Sequence, residues 1–393
     1  MEAFGPLLLV IGGMVVAALI VWAIMHHRYI KSFEDKGWAY EGSPPISIAH
    51  GLNVAPFGVA FDRSVKKQIS GPASDGTAFS AFMYRSSAWD PGDLVVTMKL
   101  PHSMPLAEVP AGGPVRTADP HYADELAKAL GGASRDLTVD HDTLVMLRVS
   151  DDADELQTAV DALAAARTAL LASPAAGRQG PTPPQGLSFA DHPDWTYVPH
   201  DDEILRQVEH SGGGYGHEAR DIIMSENARI PFIRMQHNWK TDSTSTDSEG
   251  RSHTTTTHHT EYLCQFRTSF PFVDLASNWG WFGRSQRFEW TDFNDAVRIE
   301  SSNERIAHAI IHQRQMEYLM ASGAPKFAIQ GDGAILLKGF GKKWEIEDIL
   351  GADAFLRGFF ARVPDFVWEE LGAWPRPIPE IEPAPQPSSD PIS

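Results

Sequence analysis

The chain has 393 residues, 42% of them hydrophobic and including 11 Trp and 20 Phe, which is ample for two or three packed cores and excludes a disordered protein. Its 33 Lys and Arg against 51 Asp and Glu leave a formal charge of −18, which excludes electrostatic capture of nucleic acid; the compact basic cluster Arg63, Lys66 and Lys67 reads as a solvated face. A single cysteine, Cys264, excludes an internal disulfide.

Residues 3–25, AFGPLLLVIGGMVVAALIVWAIM, carry no charge. A helix of that length rises about 35 Å, enough to cross the hydrocarbon of a bilayer, so a single-pass transmembrane helix is expected here, with the lipid bilayer as its partner. Its lipid-facing residues would be Leu7, Leu8, Leu9, Val10, Ile11 and Val15 in the first half, and Val16, Leu19, Ile20, Val21, Trp22 and Ile24 in the second. Only Glu2 precedes the run, which argues against a cleaved signal peptide. Arg28, Lys31 and Lys36 follow it, and the positive-inside rule then puts the N-terminus outside the cell membrane and the soluble modules in the cytoplasm. Gly13 and Ala17, small residues four apart, offer a face for self-association.

Beyond the anchor, one pattern occurs twice. Trp38-Ala39-Tyr40 recurs as Trp195-Thr196-Tyr197, and TAFSAFMY (77–84) aligns with RIPFIRMQH (229–237), matching Phe79 with Phe232, Phe82 with Met235 and Tyr84 with His237. Both segments alternate as half-buried strands do. Residues 93–109 and 261–275 each read as a strand running into a proline, Pro105 and Pro271. Residues 115–130 and 297–311 each read as a short strand and a capped helix, with Asp119-Pro120 at one start and a Ser301-x-x-Glu304 capping box at the other. Hairpins at 137–147 and 327–337, then amphipathic helices at 155–172 and 346–363, close the two modules.

The spacing between matched positions widens in the second module at the threonine-rich stretch and again at SNWGWFGRSQRFEW, so both are insertions. The expected fold class is α+β with internal duplication. Anchor and juxtamembrane segment occupy 1–36, the first module 37–173, a mobile Pro/Gly linker 174–193, the second module with its two insertions 194–370, and a disordered Pro-rich tail 371–393.

The anchor, the Trp-x-Tyr start and the order of strand, capped helix, hairpin and closing helix resemble those of uncharacterised single-span bacterial membrane proteins whose soluble part holds one or two such modules of unknown function. The resemblance covers residues 1 to about 370 and implies an architecture without an activity.

Residues 253–260, HTTTTHHT, invite a metal reading. Thr is β-branched, so the stretch reads as one strand of a polar hairpin turning at residues 248–251. Six residues of strand, about 20 Å, separate His253 from His259, while His258 faces the other way. One zinc ion cannot gather them. His237 on the facing strand approaches His258 only diagonally; these two are the weak metal candidates, and no metal or other cofactor is expected. HSGGGYGHEARD (210–221) resembles an anion-cradling loop but lacks the Gly-Lys-Ser/Thr that would follow, so it reads as a flexible loop. Asp201, Asp202 and Glu203 read as first-turn helix acids favoured by the dipole. No G-x-S-x-G, H-E-x-x-H or paired Cys motif occurs, so no catalytic residue is assigned.

The aromatic insertion, Trp279, Trp281, Phe282, Phe288 and Trp290, is the candidate partner-binding surface, weighed against a loop folded over the module's own core. The chain is therefore expected to be a membrane-anchored cytoplasmic binding or scaffolding element for a protein partner. The alternatives are a membrane-tethered enzyme with a site between the modules and an extracytoplasmic ligand-binding protein.

Overall fold

A computed structural model of the chain describes residues 4–87, 89–226, 228–246, 249–280 and 285–379, with side chains at Met14 and from Val16 onward. The chain divides into two units, Met1–Pro193 and Asp194–Ser393.

The first helix, α1 (Phe4–Glu34), corrects the expectation of a transmembrane span: among the described residues no helix is long and apolar enough to cross a membrane. From Val16 onward the apolar stretch of α1 ends at Met25, and Arg28, Lys31 and Glu34 follow within a few turns. Its last turns serve another purpose. Phe33 is fully buried and Tyr29 packs beside it, so this end of the helix is built into the core of the first unit. Val16, Leu19, Ile20, Val21, Trp22 and Ile24 are exposed, whereas the side chains of Leu7, Leu8, Leu9, Val10, Ile11 and Val15 lie outside the described residues. The membrane and single-pass assignments fall with the span.

In the first unit β1 (Ala39–Glu41), β2 (Ser64–Pro72), β3 (Ala78–Arg85), β4 (Asp93–Lys99), β5 (Ala107–Val109), β6 (Leu137–Asp140) and β7 (Thr143–Val149) form an antiparallel sheet of order β1-β2-β3-β4-β7-β6-β5. Helices α2 (Pro120–Leu130) and α3 (Ala153–Leu171) bring Tyr122, Leu126, Leu156 and Leu163 to a core shared with Ile69, Phe79, Val96 and Met98 of the strands. Phe57 packs on Phe82 and Tyr84, so β4 is buried on both faces and reads as the continuous apolar run LVVTM. The Asp119 carboxylate caps α2 by accepting from the His121 N–H, as the sequence suggests.

The stretch expected to be a mobile linker is tied down. Arg178 bridges Asp119 and Glu125, the Gly180 N–H donates to the Ser103 carbonyl at 2.9 Å, and the short strand β8 (Leu187–Phe189) is held where Arg63 donates to the Ser188 carbonyl and lies over the Phe189 ring.

The second unit follows the same strand order. Its strands β9 (His192–His200), β10 (Tyr215–Ser225), β11 (Phe232–Thr246), β12 (Ser252–Arg267), β13 (Leu275–Ser277), β14 (Ser285–Gln286), β15 (Ile299–Ser301), β16 (Lys326–Ile329) and β17 (Ala334–Lys338) run β9-β10-β11-β12-β17-β16-β13, and then continue through β15 to β14. The first seven in that order repeat the first unit's topology, while β14 and β15 extend it. Helices α4 (Thr291–Ala296), α5 (Glu304–Ile310), α6 (Gln313–Ala321), α7 (Ile346–Ala361) and α8 (Asp365–Glu370) complete the unit. In place of the expected Ser301 capping box, Asn303 caps α5 by accepting from the Ile306 N–H, and Ser301 ends β15. At the chain's end Arg376 donates to the Ala361 carbonyl and Ile378 is buried, so the described start of the expected tail is packed; residues 380–393 lie outside the described residues.

Candidate metal centre

A small apolar cluster gives the site its position. A 3-10 helix, Asp202–Arg206, is capped by Asp201 and lays Ile204, with Val208 beyond it, over Ala219 and Ile222 of β10 and Met235 of β11. Side chains alternate across a strand, so the face carrying Ile233 and Met235 next presents His237 and Trp239. On β12 the same face carries Leu263, Glu261 and His259, paired in register with Met235, His237 and Trp239. A hydrophobic surface thus passes directly into a histidine-rich one.

The glycine-rich stretch, expected as a flexible loop, belongs to this site and is a strand over much of its length. From Tyr215 it is strand β10, and a register shift lies between the pairs Tyr215↔Lys240 and Glu218↔Asn238. Gly216 has φ +63° within that bulge and Gly214 has φ +92°; a Cβ on Gly214 would lie 2.1 Å from the Lys240 carbonyl oxygen. Glycine is required at Gly214 because the backbones touch, and at Gly216 because the bulge needs a left-handed residue. The bulge lets His217 meet His237.

His210, His217 and His237 form one cluster, with one ring nitrogen from each lying within 4.8 Å of the others. Their rings are close: 4.6 Å between the centroids of His210 and His237, and 5.1 Å with near-parallel planes between His217 and His237. His237 is fully buried, and the other two are partly exposed.

Hydrogen bonds orient the rings. Nδ1 of His237 donates to the Glu261 carboxylate at 2.8 Å, which leaves the lone pair of its Nε2 to accept from the His217 Nδ1–H at 2.9 Å, a proton that an ion would replace. His210 Nδ1 donates to the Ser211 carbonyl at 3.0 Å, leaving its Nε2 free to ligate. Glu261 also accepts from the Ser211 N–H at 2.8 Å and the Ser211 hydroxyl at 2.9 Å, which fastens the His210 loop to β12. Metal-binding histidines are held by this kind of partner, an acceptor on the nitrogen away from the ion.

Electrostatics favour the neutral form of His237. Burial pulls the His237 pKa down, and the neighbouring His210 and His217 act in the same direction against the opposing pull of Glu261, so the net shift is downward. For Glu261 burial acts upward but is outweighed by the hydrogen bonds from His237 and Ser211, and its pKa lies below the usual carboxylate value. Neutral imidazole is the form that coordinates metal.

The geometry is close to what an ion needs. Two nitrogens on a tetrahedral zinc, each about 2.0 to 2.1 Å away, stand roughly 3.3 Å apart. His217 and His237 therefore part by a few tenths of an ångström and His210 closes in, movements within reach of side-chain torsions.

Beside the cluster a cleft of about 490 Å³ opens where two strands part. β12 and β17 pair from Arg267↔Ala334 to Gln265↔Leu336; beyond that, residues 261–265 form one side and Leu336, Leu337 and Lys338 the other. His210 and Glu261 line both cleft and cluster. The wall formed by Gly339, Gly341 and Trp344 is pinned from beneath by buried Arg234, which donates to the carbonyls of Lys343, Trp344 and Asp221. Cys264 is buried, and burial pushes its thiol pKa far up, so it is an inert wall residue.

Of the two weak metal candidates, His237 is at the heart of the cluster, whereas His258 pairs with Lys240 on the opposite, exposed face of the hairpin. Residues 242–246 and 252–258 are exposed throughout, as a polar hairpin in water should be. Asp202 accepts from the Ala219 N–H and thereby anchors the 3-10 helix to β10. The aromatic insertion divides. Trp279 is half-buried and lines the cleft, while Phe288 packs on Phe293 and His308, and Trp290 stacks on Phe293, within their own unit; Trp281 and Phe282 lie outside the described residues.

Compared with known proteins, the chain matches no family model, no curated protein and no solved structure.

Proposed function

We propose that the second unit is a metal-dependent binding module which holds one divalent transition-metal ion, zinc in the first instance, through His210 Nε2, His217 Nδ1 and His237 Nε2. The observation that carries this reading is the buried His237, whose outer nitrogen is held by ionised Glu261 while its inner nitrogen faces a second histidine at 2.9 Å. Three imidazoles suit zinc, copper, nickel or cobalt and disfavour calcium and magnesium, which take oxygen ligands. The third ring nitrogen within 4.8 Å is what raises the pair above an ordinary imidazole–imidazole hydrogen bond. A binding role is also consistent with a chain in which no catalytic motif occurs.

Calorimetric titration of the chelator-treated full chain with zinc tests the proposal. One ion per chain should bind, and His217→Ala and His210→Ala should each abolish or severely weaken uptake. Both residues are partly exposed, so neither substitution removes a core side chain. Absence of saturable uptake by the unmodified chain would contradict the proposal, as would uptake that both variants retain.

A further inference from the structure

Resting on the metal reading, we infer that the ion keeps one coordination position open to the cleft between β12 and β17, and that this position takes the carboxylate of a small organic acid with an aromatic or aliphatic body. Three protein ligands leave a tetrahedral ion one position short. All three are neutral imidazoles, so the bound ion retains its double charge. Glu261, the carboxylate at the cluster, is engaged by His237 and by both donors of Ser211, and it supplies charge without occupying the fourth position. An anion from outside is the natural complement.

The body of that anion has a place to lie. His210 and Glu261 belong to the cleft as well as to the cluster, so a head group on the ion continues into the space lined by Val208, Tyr262, Leu263, Trp279, Leu336 and Trp344. The lining is mixed, with Glu209, Ser211, Gln265 and Lys338 among the apolar and aromatic side chains, and a volume of about 490 Å³ suits one small organic molecule. Because β17 leaves β12 after Gln265, the backbone of residues 261–264 faces this space without β17 as a ladder partner. On the far wall the Lys338 ammonium lies 4.6 Å from the centre of the Trp279 ring and makes no ion pair among the described residues, which adds positive potential on the cleft side. The aromatic residue singled out by the sequence thus becomes a wall for the ligand's ring.

Cobalt provides the probe, since its visible absorption reports its own coordination. The cobalt-loaded full chain is titrated with acetate, with 3-phenylpropionate and with 3-phenylpropionamide. Both acids should shift the spectrum, the phenyl acid saturating at roughly tenfold lower concentration because its ring is buried in the cleft, and the amide should have no effect. Trp279→Ala should remove most of the phenyl acid's advantage while leaving cobalt uptake and the acetate response unchanged. Cobalt uptake with a spectrum indifferent to every acid would overturn the inference and leave the metal reading standing. Equal responses to acetate and phenylpropionate would overturn the assignment of the cleft. No cobalt spectrum at all would overturn the metal reading itself.

Discussion

Glu261 and His237 face each other across the β11–β12 ladder, and the carboxylate accepts the Nδ1 proton of the imidazole at 2.8 Å. One contact fixes the tautomer of a buried histidine, and the same carboxylate holds the Ser211 loop that carries His210 to the cluster. Glu261→Gln keeps the shape and removes the charge. Zinc affinity should fall about tenfold or more, the usual consequence of altering an outer partner of a metal ligand. Unchanged affinity by titration would show that Glu261 does not orient the site.

The pH dependence of the metal-free chain has a definite sign. His237 titrates lower in the folded chain than its ordinary 6.5, so the unfolded chain binds more protons and stability rises with pH through that region. The stability is fully present above pH 6.5 and is lost as pH falls below it; Glu261, shifted below its ordinary 4.5, adds a second loss further down. In the presence of a chelator, urea midpoints measured from pH 7.5 to 5.5 should fall for the unmodified chain and vary less for His237→Gln. Parallel slopes would remove His237 as the cause.

Glycine substitutions separate the bulge from the loop. Gly214→Ala meets the Lys240 carbonyl and a left-handed φ, and should cost about 1 to 3 kcal/mol while displacing His217 and weakening zinc binding. A Cβ on Gly212 or Gly213 has nothing within 4 Å, so Gly212→Ala and Gly213→Ala should leave stability and zinc affinity nearly unchanged. Thermal melts and zinc titrations of the three variants check the contrast.

Much of the fold is legible in the sequence because it rests on alternation. Phe79, Phe82 and Phe232 mark strands, and the matched hairpins and closing helices of the two units occur where their patterns place them. The site was hidden for a physical reason. YGHEARDIIMS opens with glycine and charge, and two register shifts break its period, so β10 does not look like a strand. A strand between β9 and β11 could have been sought, since the first unit has β2 at that place in the order; it would have set His217 beside His237. His210 reaches them from a loop, through Ser211 and Glu261, which no spacing along the chain encodes. The apolar run of residues 3–25 misled in the opposite direction, because apolarity alone does not show that the continuing helix carries Tyr29 and Phe33 into a core.

The outer hairpin should be dispensable for folding. Beyond Thr241 and His259 its described side chains, 242–246 and 249–258, are exposed, whereas Trp239 stacks on both His237 and His259 and belongs to the site's surroundings. Replacing residues 243–255 by a two-residue turn should shift stability by less than about 1 kcal/mol, since loop length itself contributes little. Zinc affinity should be unchanged. A large loss of stability, measured by urea unfolding, would show that the outer hairpin supports the fold.

X-ray absorption at the zinc edge of the zinc-loaded full chain tests the metal centre most directly. Three imidazole nitrogens at about 2.0 to 2.1 Å are predicted, with a fourth light ligand and no sulfur. The imidazole signal should fall to two in His217→Ala if that variant retains any ion. A spectrum with one imidazole or none, or one unaltered by the substitution, would contradict a centre built from His210, His217 and His237.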